Sequence, residues 1–219
     1  GGEAMAEIMQ LSTHVANLIA AGEVVERPAS VAKELLENSV DAGAKNVTIE
    51  IQGGGMAFLR VTDDGCGMTP DNARKCFLRH ATSKLRTAED LAAISTMGFR
   101  GEALAAIASV SRVDLMTKPA GSLSGTSLHL EAGVILEDTE TGCPDGTTII
   151  VRDLFFNTPA RMKFMKSDAQ ESARVTAVVQ QQALAHPEVA MKLLRDGKQV
   201  LSTPGTGKLQ DVMYCLYGR

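Results

Sequence analysis

The sequence predicts an α+β fold in which helices cover one face of a mixed, mostly antiparallel sheet. Two observations carry that expectation. Runs with strand-like alternation outnumber what a regular strand-helix-strand rhythm needs, and several are joined by turn signals short enough for hairpins. Between them lie stretches with the 3.6-residue apolar spacing of helices that bury one side. At 219 residues the chain can hold one large domain, or one domain and part of another, with ample core.

Taken in chain order, a helix is expected from His14 to Ile19. A second follows in "RPASVAKELLENSVDAGA", where Pro28 suits a first helical turn and Gly43 an end. "NVTIEI" then alternates Val47, Ile49 and Ile51, Gly53-Gly54-Gly55 interrupts, and "AFLRVTD" alternates again, as a strand hairpin does. Thr69 as cap and Pro70 in the first turn begin a helix expected to run to about His80. Residues 81–101 read as irregular apart from a short helix around Glu89 to Ile94, and "EALAAIASV" restarts a helix. Strands are expected at about 112–117, 126–131 and 147–153. A long helix near 168–185, a hairpin turning at Asp196-Gly197 and a last helix from about 207 complete the chain.

Composition excludes several classes. Apolar residues make up 44% of the chain, yet no apolar run approaches the roughly 18 residues of a membrane span, and no signal-peptide pattern opens it. The expectation is a soluble, cytoplasmic protein. A net charge of -4 argues against strong nucleic-acid binding by the whole domain, while leaving room for a local basic patch. Cys66, Cys76, Cys143 and Cys215 form no CxxC pair and read as buried, reduced thiols. The four histidines show no metal or triad spacing, and Ser39 lacks a nucleophile-elbow context. "PGTGKLQ" contains GxGK, but Ser202 and Leu209 stand where a P-loop needs Gly and Ser or Thr.

The chemistry concentrates in a few places. On the helix over residues 28–43, Ala32, Leu36 and Val40 make an apolar stripe, and Glu34, Asn38 and Asp41 fall on the other side. A solvated helix face would explain the charges. Asn38-Ser39, however, are poor helix formers and call for another reason. In "FLRVTDDGCGM" the pleat puts Asp63 on the same face as Leu59 and Val61, just before a turn. Asp63 is then either a turn residue bonding the amides of Gly65 or Gly67, or an acceptor for an exocyclic amine, with the glycines admitting a flat ring. Spacing leaves both open. "MGFRGEALAAIAS" and "RHATSK" offer backbone amides, Arg100, Thr82, Ser83 and Lys84 to a phosphate, or are ordinary loops with solvated charges. "DGTT", at 145–148, reads as a turn into a strand unless it lines the same pocket.

In their order along the chain, "AAGEVVERPASVAKELLENSVDAGA", "DDGCGM", "LRHATSK", "GFRGEALAAI" and "GTTIIVRDLFFNTPARMKF" resemble the N-terminal ATPase region of the DNA mismatch-repair MutL family, within the GHKL ATPase superfamily. The resemblance spans residues 8–219, and "GFRGEAL" and "LFFNTPAR" set it apart from the gyrase, chaperone and histidine-kinase branches. Uninterrupted "GEVVERPASV" resembles the bacterial form.

The resemblance implies a Bergerat-type α/β sandwich and a set of roles. Glu34 is the general base that activates water for attack on the γ-phosphate of ATP, and Asn38 ligates Mg²⁺. Asp63 receives the adenine amine, Gly67 lies beneath the ring, and Thr147 bonds near both. Thr82, Ser83, Lys84, Arg100, Gly101, Glu102, Ala103 and Leu104 form a lid around the β- and γ-phosphates. Asp64, often Asn in the family, is expected to point outward with little consequence. Residues 1–7 read as a tag remnant and flexible N-terminal arm, and 8–219 as the ATPase domain. The family's next domain, whose lysine reaches the γ-phosphate, and its C-terminal dimerisation domain lie outside this sequence, so weak or absent turnover is expected of this stretch alone.

Implied partners are ATP, a second copy on ATP binding, a mismatch-recognition protein of the MutS type, and weakly held, non-specific DNA, with Arg152, Arg161, Lys163 and Lys166 as candidate contacts. No membrane is involved. The implied setting is the bacterial cytoplasm, near the nucleoid. The alternatives are another GHKL ATPase of the type II topoisomerase kind, told apart by a supercoiling assay, and a nucleotide-binding scaffold without turnover.

Overall fold

The computed structural model describes residues 2–6, 25–78 and 102–218. Among them, one sheet carries the fold. Helix α1 (Pro28–Asp41) is followed by strand β1 (Asn46–Gln52), a 3-10 turn (Gly53–Gly55) and strand β2 (Phe58–Asp63). Helix α2 (Pro70–Lys75) and helix α3 (Ala103–Ser109) precede strands β3 (Arg112–Lys118), β4 (Gly125–Glu131), β5 (Val134–Thr141) and β6 (Gly146–Arg152). Helices α4 (Pro159–Met162) and α5 (Asp168–Ala185), the hairpin of β7 (Ala190–Arg195) and β8 (Lys198–Ser202), and helix α6 (Leu209–Tyr217) follow.

The strands lie in the order β5-β4-β3-β6-β2-β1-β7-β8. All neighbours pair antiparallel except β1 and β7, which makes the sheet mixed. Strand register aligns three rows on the face beneath the helices. One is Ile51-Leu59-Val151-Val113-Leu130, and the next is Leu193-Ile49-Val61-Ile149-Leu115-Leu128; all are buried. The third row begins with apolar Met191 and Val47 and then turns polar: Asp63-Thr147-Thr117-Thr126. The period-2 pleat therefore carries the core face straight into a polar patch at one end of the sheet.

Helix α1 begins with Pro28 in the position where its missing N-H costs nothing, after Arg27 in an extended conformation. Its end is a Schellman motif: Gly43 N-H donates to Val40 O at 3.0 Å and Ala44 N-H to Ser39 O at 3.1 Å, with Gly43 at φ +76°. Helix α5 begins with a capping box between Ser167 and Gln170. The two helices pack together and are tied at their starts by an ion pair, in which Arg27 Nη1 donates to Glu171 Oε1 at 3.0 Å. Glu171 is 1% exposed and also accepts from Lys166 N-H.

Removing one member of such a pair strands the other. Glu171→Ala is expected to cost about 3 kcal/mol, the low end for a buried pair because Arg27 keeps some water. That corresponds to a fall in melting temperature of roughly 6 to 12 °C for a chain of this size. Calorimetric melting of the variant checks it, and a fall below about 2 °C would show that the pair does not anchor the helices.

Three expectations differ from the structure. Strand β5 was not anticipated: it is an exposed edge strand whose acidic residues mask the alternation, joined to β4 by Ala132-Gly133, both at positive φ. Helix α2 stops at Lys75, with Cys76 and Phe77 in a turn, short of His80. Of the four cysteines only Cys76 is buried; all four are free, but Cys66 and Cys215 are exposed. The helices expected at His14–Ile19 and Glu89–Ile94 fall outside the described residues.

Candidate nucleotide site

The polar end of the sheet and the C-terminal half of α1 enclose a cleft. Leu35, Asn38, Ser39 and Ala42 line it from α1 and its cap, Val61 and Asp63 from β2, and Gly67 and Met68 from the turn after β2. Leu104 of α3 and Thr147 and Ile149 of β6 complete it. Leu35, Val61, Met68, Leu104 and Ile149 make an apolar slot; Asp63, Thr147, Ser39 and Asn38 lie at its polar end. A slot of this kind suits a flat, mostly apolar ring with a few hydrogen-bonding edges.

Asp63 is held from two sides: Ser39 Oγ-H donates to Oδ2 at 2.7 Å and Gly65 N-H to Oδ1 at 2.9 Å. Burial nevertheless pushes its pKa above the ordinary carboxylate value, against the pull of Ser39 and Gly65; the neighbouring Asp64 charge adds to the rise. Asp63 is thus the turn residue, with Gly65 N-H on one oxygen, and it also lines the cleft. Ser39 explains half of the Asn38-Ser39 anomaly. It was absent from the expected site residues because a helical serine aimed at a strand carboxylate leaves no local pattern.

Asn38 supplies the other half. It is 9% exposed, and both amide atoms, Oδ1 and Nδ2, are buried without a hydrogen-bond partner in the described structure. Leaving both unmade costs a few kcal/mol, so a residue kept this way on a core-facing helix points to a ligand. Glu34 lies one turn earlier on α1, half-buried, with Oε2 buried. It does not line the cleft formed by the described residues.

Gly67 sits at φ +67°, and a Cβ there would collide with the Lys118 carbonyl, so close backbone approach within the protein already demands glycine. Thr147 lines the cleft, its hydroxyl 2.9 Å from that of Thr117. Among the expected lid residues, Leu104 forms part of the slot, Ala103 is buried, and Glu102 is the N-cap of α3. Thr82, Ser83, Lys84, Arg100 and Gly101 lie outside the described residues.

Asp64 does more than expected. Its carboxylate accepts from Lys45 N-H at 2.8 Å and from Asn46 N-H and Nδ2-H at 2.9 Å, pinning the start of β1 to the end of β2. Burial pushes its pKa up, but the three donors outweigh that and hold it below the usual range. The "LFFNTP" segment is structural where described. Leu154 and Phe155 are buried, Phe155 N-H donates to Val110 O at 2.7 Å, and Asn157 Nδ2-H donates to Ser109 O at 2.9 Å, closing the end of α3. Arg152 is paired with Asp114, whereas Lys163 and Phe164 are exposed.

Comparison with known proteins agrees with this geometry. Residues 26–149 match the family model of histidine kinase-, DNA gyrase B-, and HSP90-like ATPases. The DNA mismatch repair protein MutL of Symbiobacterium thermophilum is 54% identical over 98% of this chain and 34% of its own length; that of Desulforudis audaxviator is 53% identical over 98% and 38%. The chain thus spans about a third of the length of these curated relatives. Among solved structures, the Aquifex aeolicus MutL ATPase domain complexed with ADP superposes with a TM-score of 0.70 at 32% identity, covering 89% of this chain and 70% of that one. The N-terminal domain of a DNA repair protein does so with 0.78 at 27% identity, covering 93% and 61%. Fold, cleft and relatives agree: the chain belongs to the histidine kinase-, DNA gyrase B- and HSP90-like ATPase family and, within it, to the ATPase region of the MutL mismatch-repair branch.

Proposed function

We propose that the cleft binds ATP by its adenine ring and that Glu34 drives its hydrolysis. At the full length of the relatives, this turnover would operate a dimeric clamp that couples mismatch recognition to strand removal. The observation that carries the site reading is Asn38, whose buried, unpartnered amide stands at the polar end of the slot, one helical turn from Glu34 and near the acceptor Asp63.

The donor set fits Mg²⁺. This ion favours oxygen ligands but keeps waters and phosphate oxygens around itself, so one neutral amide oxygen from the protein is enough, and Asn38 Oδ1 has its lone pairs free. Bound there, Mg²⁺ supplies charge neutralisation for the transferring phosphoryl group. Asn38 Nδ2 donates to a phosphate oxygen. Glu34 orients the attacking water and accepts its proton; its i, i+4 spacing from Asn38 on α1 supports that role. Asp63 accepts the adenine amine, Thr147 bonds beside it, and Gly67 lies under the ring. Thr82, Ser83, Lys84 and the 100–104 stretch close over the β- and γ-phosphates.

ATP acts in this reading as a conformational ligand that favours the state contacting its γ-phosphate. Nucleotide orders the lid and the N-terminal arm, two copies associate through that arm, and a MutS-type protein and DNA engage the closed form. Exposed Lys163 and Phe164 offer a weak, non-specific DNA contact. The cytoplasm is the setting; among the described residues no helix is long and apolar enough to cross a membrane.

Asn38→Ala tests the metal assignment. In the presence of Mg²⁺ its ATP affinity, by calorimetry, is expected to fall about tenfold or more, the loss of one charge-assisted contact. With Mg²⁺ chelated, the gap between variant and wild type should narrow to what the Nδ2-phosphate contact alone contributes. Unchanged affinity with Mg²⁺ present would remove Asn38 as a ligand.

A further inference from the structure

Thr117 of β3 has no exposed surface and does not line the cleft. Its hydroxyl oxygen lies 2.9 Å from the Met68 amide nitrogen, 3.1 Å from the Gly146 carbonyl oxygen and 2.9 Å from the Thr147 hydroxyl oxygen. A hydroxyl has one proton and two lone pairs. The carbonyl of Gly146 can only accept, so the Thr117 proton goes there. The amide of Met68 can only donate, so it takes one lone pair. The second lone pair faces Thr147, and the only proton available for that contact is Thr147's own. Thr147 therefore has its proton committed away from the cleft and presents lone pairs to it. Beside it in the same row, Asp63 in its carboxylate form is also an acceptor and nothing else.

We infer that Thr117 sets the hydrogen-bond polarity at the inner end of the cleft. By holding the Thr147 proton, it leaves an all-acceptor edge that selects a purine bearing an amine at C6 over one bearing a carbonyl oxygen. This rests on the nucleotide reading above. An exocyclic amine brings two protons to such an edge, whereas a 6-oxo group brings lone pairs against lone pairs and leaves buried acceptors unmade, the arrangement by which binding sites reject an analogue most strongly. Thr117 is a positioning residue, since it acts only through Thr147.

The test compares the affinities of ATP and inosine triphosphate for this chain and its Thr117 variants by calorimetry, with thermal melting to confirm folding. The wild type is expected to prefer ATP. Thr117→Val frees the Thr147 proton to turn toward a 6-oxo group, and the preference should shrink about tenfold, chiefly by a gain in inosine triphosphate affinity. Thr117→Ser, which restores the hydroxyl, should restore the preference. An unaltered ratio in Thr117→Val, or equal affinities in the wild type, overturns the inference.

Thr117→Val also leaves Met68 N-H and Gly146 O unpaired, and where it fails to fold Thr147→Val supplies the second measurement. Deleting an acceptor there should weaken ATP and leave inosine triphosphate unchanged or tighter. An equal loss for both would show Thr147 donating to the base and overturn the inference. A wild-type chain that binds neither nucleotide overturns the nucleotide reading itself.

Discussion

Replacing Glu34 with alanine is expected to leave Mg-ATP affinity within about threefold of wild type and to lower turnover by about 10² to 10⁴, the usual contribution of a positioned general base. The split follows from geometry. Asn38 and Asp63 line the cleft and Glu34 does not, so binding contacts survive its loss while the group that takes the water's proton is gone. Turnover is best measured on a chain extended to the length of the relatives, of which residues 1–219 cover about a third; binding can be measured on the present chain. Hydrolysis that continues at the wild-type rate would remove Glu34 from the base role.

Asp63→Asn should lower ATP affinity by about 10- to 100-fold and erode the preference for adenine over guanine, read by competition binding. The amide keeps the shape of the carboxylate but puts an N-H₂ where one of the oxygens stood. Ser39 O-H and Gly65 N-H donate to the two oxygens of that side chain, so one of these donors, or the adenine amine, loses its acceptor.

The pH behaviour follows the same group. Because the folded pKa of Asp63 lies above its ordinary value, its contribution to stability is greatest below that value and is given up as pH rises through the folded pKa. Once ionised, the carboxylate therefore costs the fold stability. Nucleotide affinity runs the other way and is lost as pH falls through the raised pKa. Wild-type affinity that stays unaltered in Asp63→Asn would refute the adenine contact.

How much of this was legible in the sequence depended on whether the physics was local. The capped helix α5 spans the expected range, and the Asp196-Gly197 hairpin lies where that dipeptide placed it, because caps and turns are written in adjacent residues. Strand β5 escaped because an edge strand needs no apolar face, and because Ala132 adopts a turn conformation that its residue type does not advertise. The outcome at α2 was similar: a good start signal says nothing about how soon the helix must end.

The site was legible as an anomaly before it was legible as geometry. Asn38-Ser39 in a helix and Asp63 on an apolar face each broke a local rule, and the structure brings both breaches to one place. Ser39 and Thr117 were not found, since both act through partners that sequence separates by 24 and 30 residues. Only the register of β2, β6 and β3 aligns Asp63, Thr147 and Thr117 in one row.

The central claim is that this row and the polar side of α1 together form an adenine-nucleotide site. A crystal structure of the chain with Mg²⁺ and a non-hydrolysable ATP analogue tests it most directly. The account predicts the adenine amine within hydrogen-bonding distance of the Asp63 carboxylate, with Asn38 Oδ1 on the metal. An analogue seated elsewhere, or seated here with Asp63 and Asn38 untouched, would contradict it.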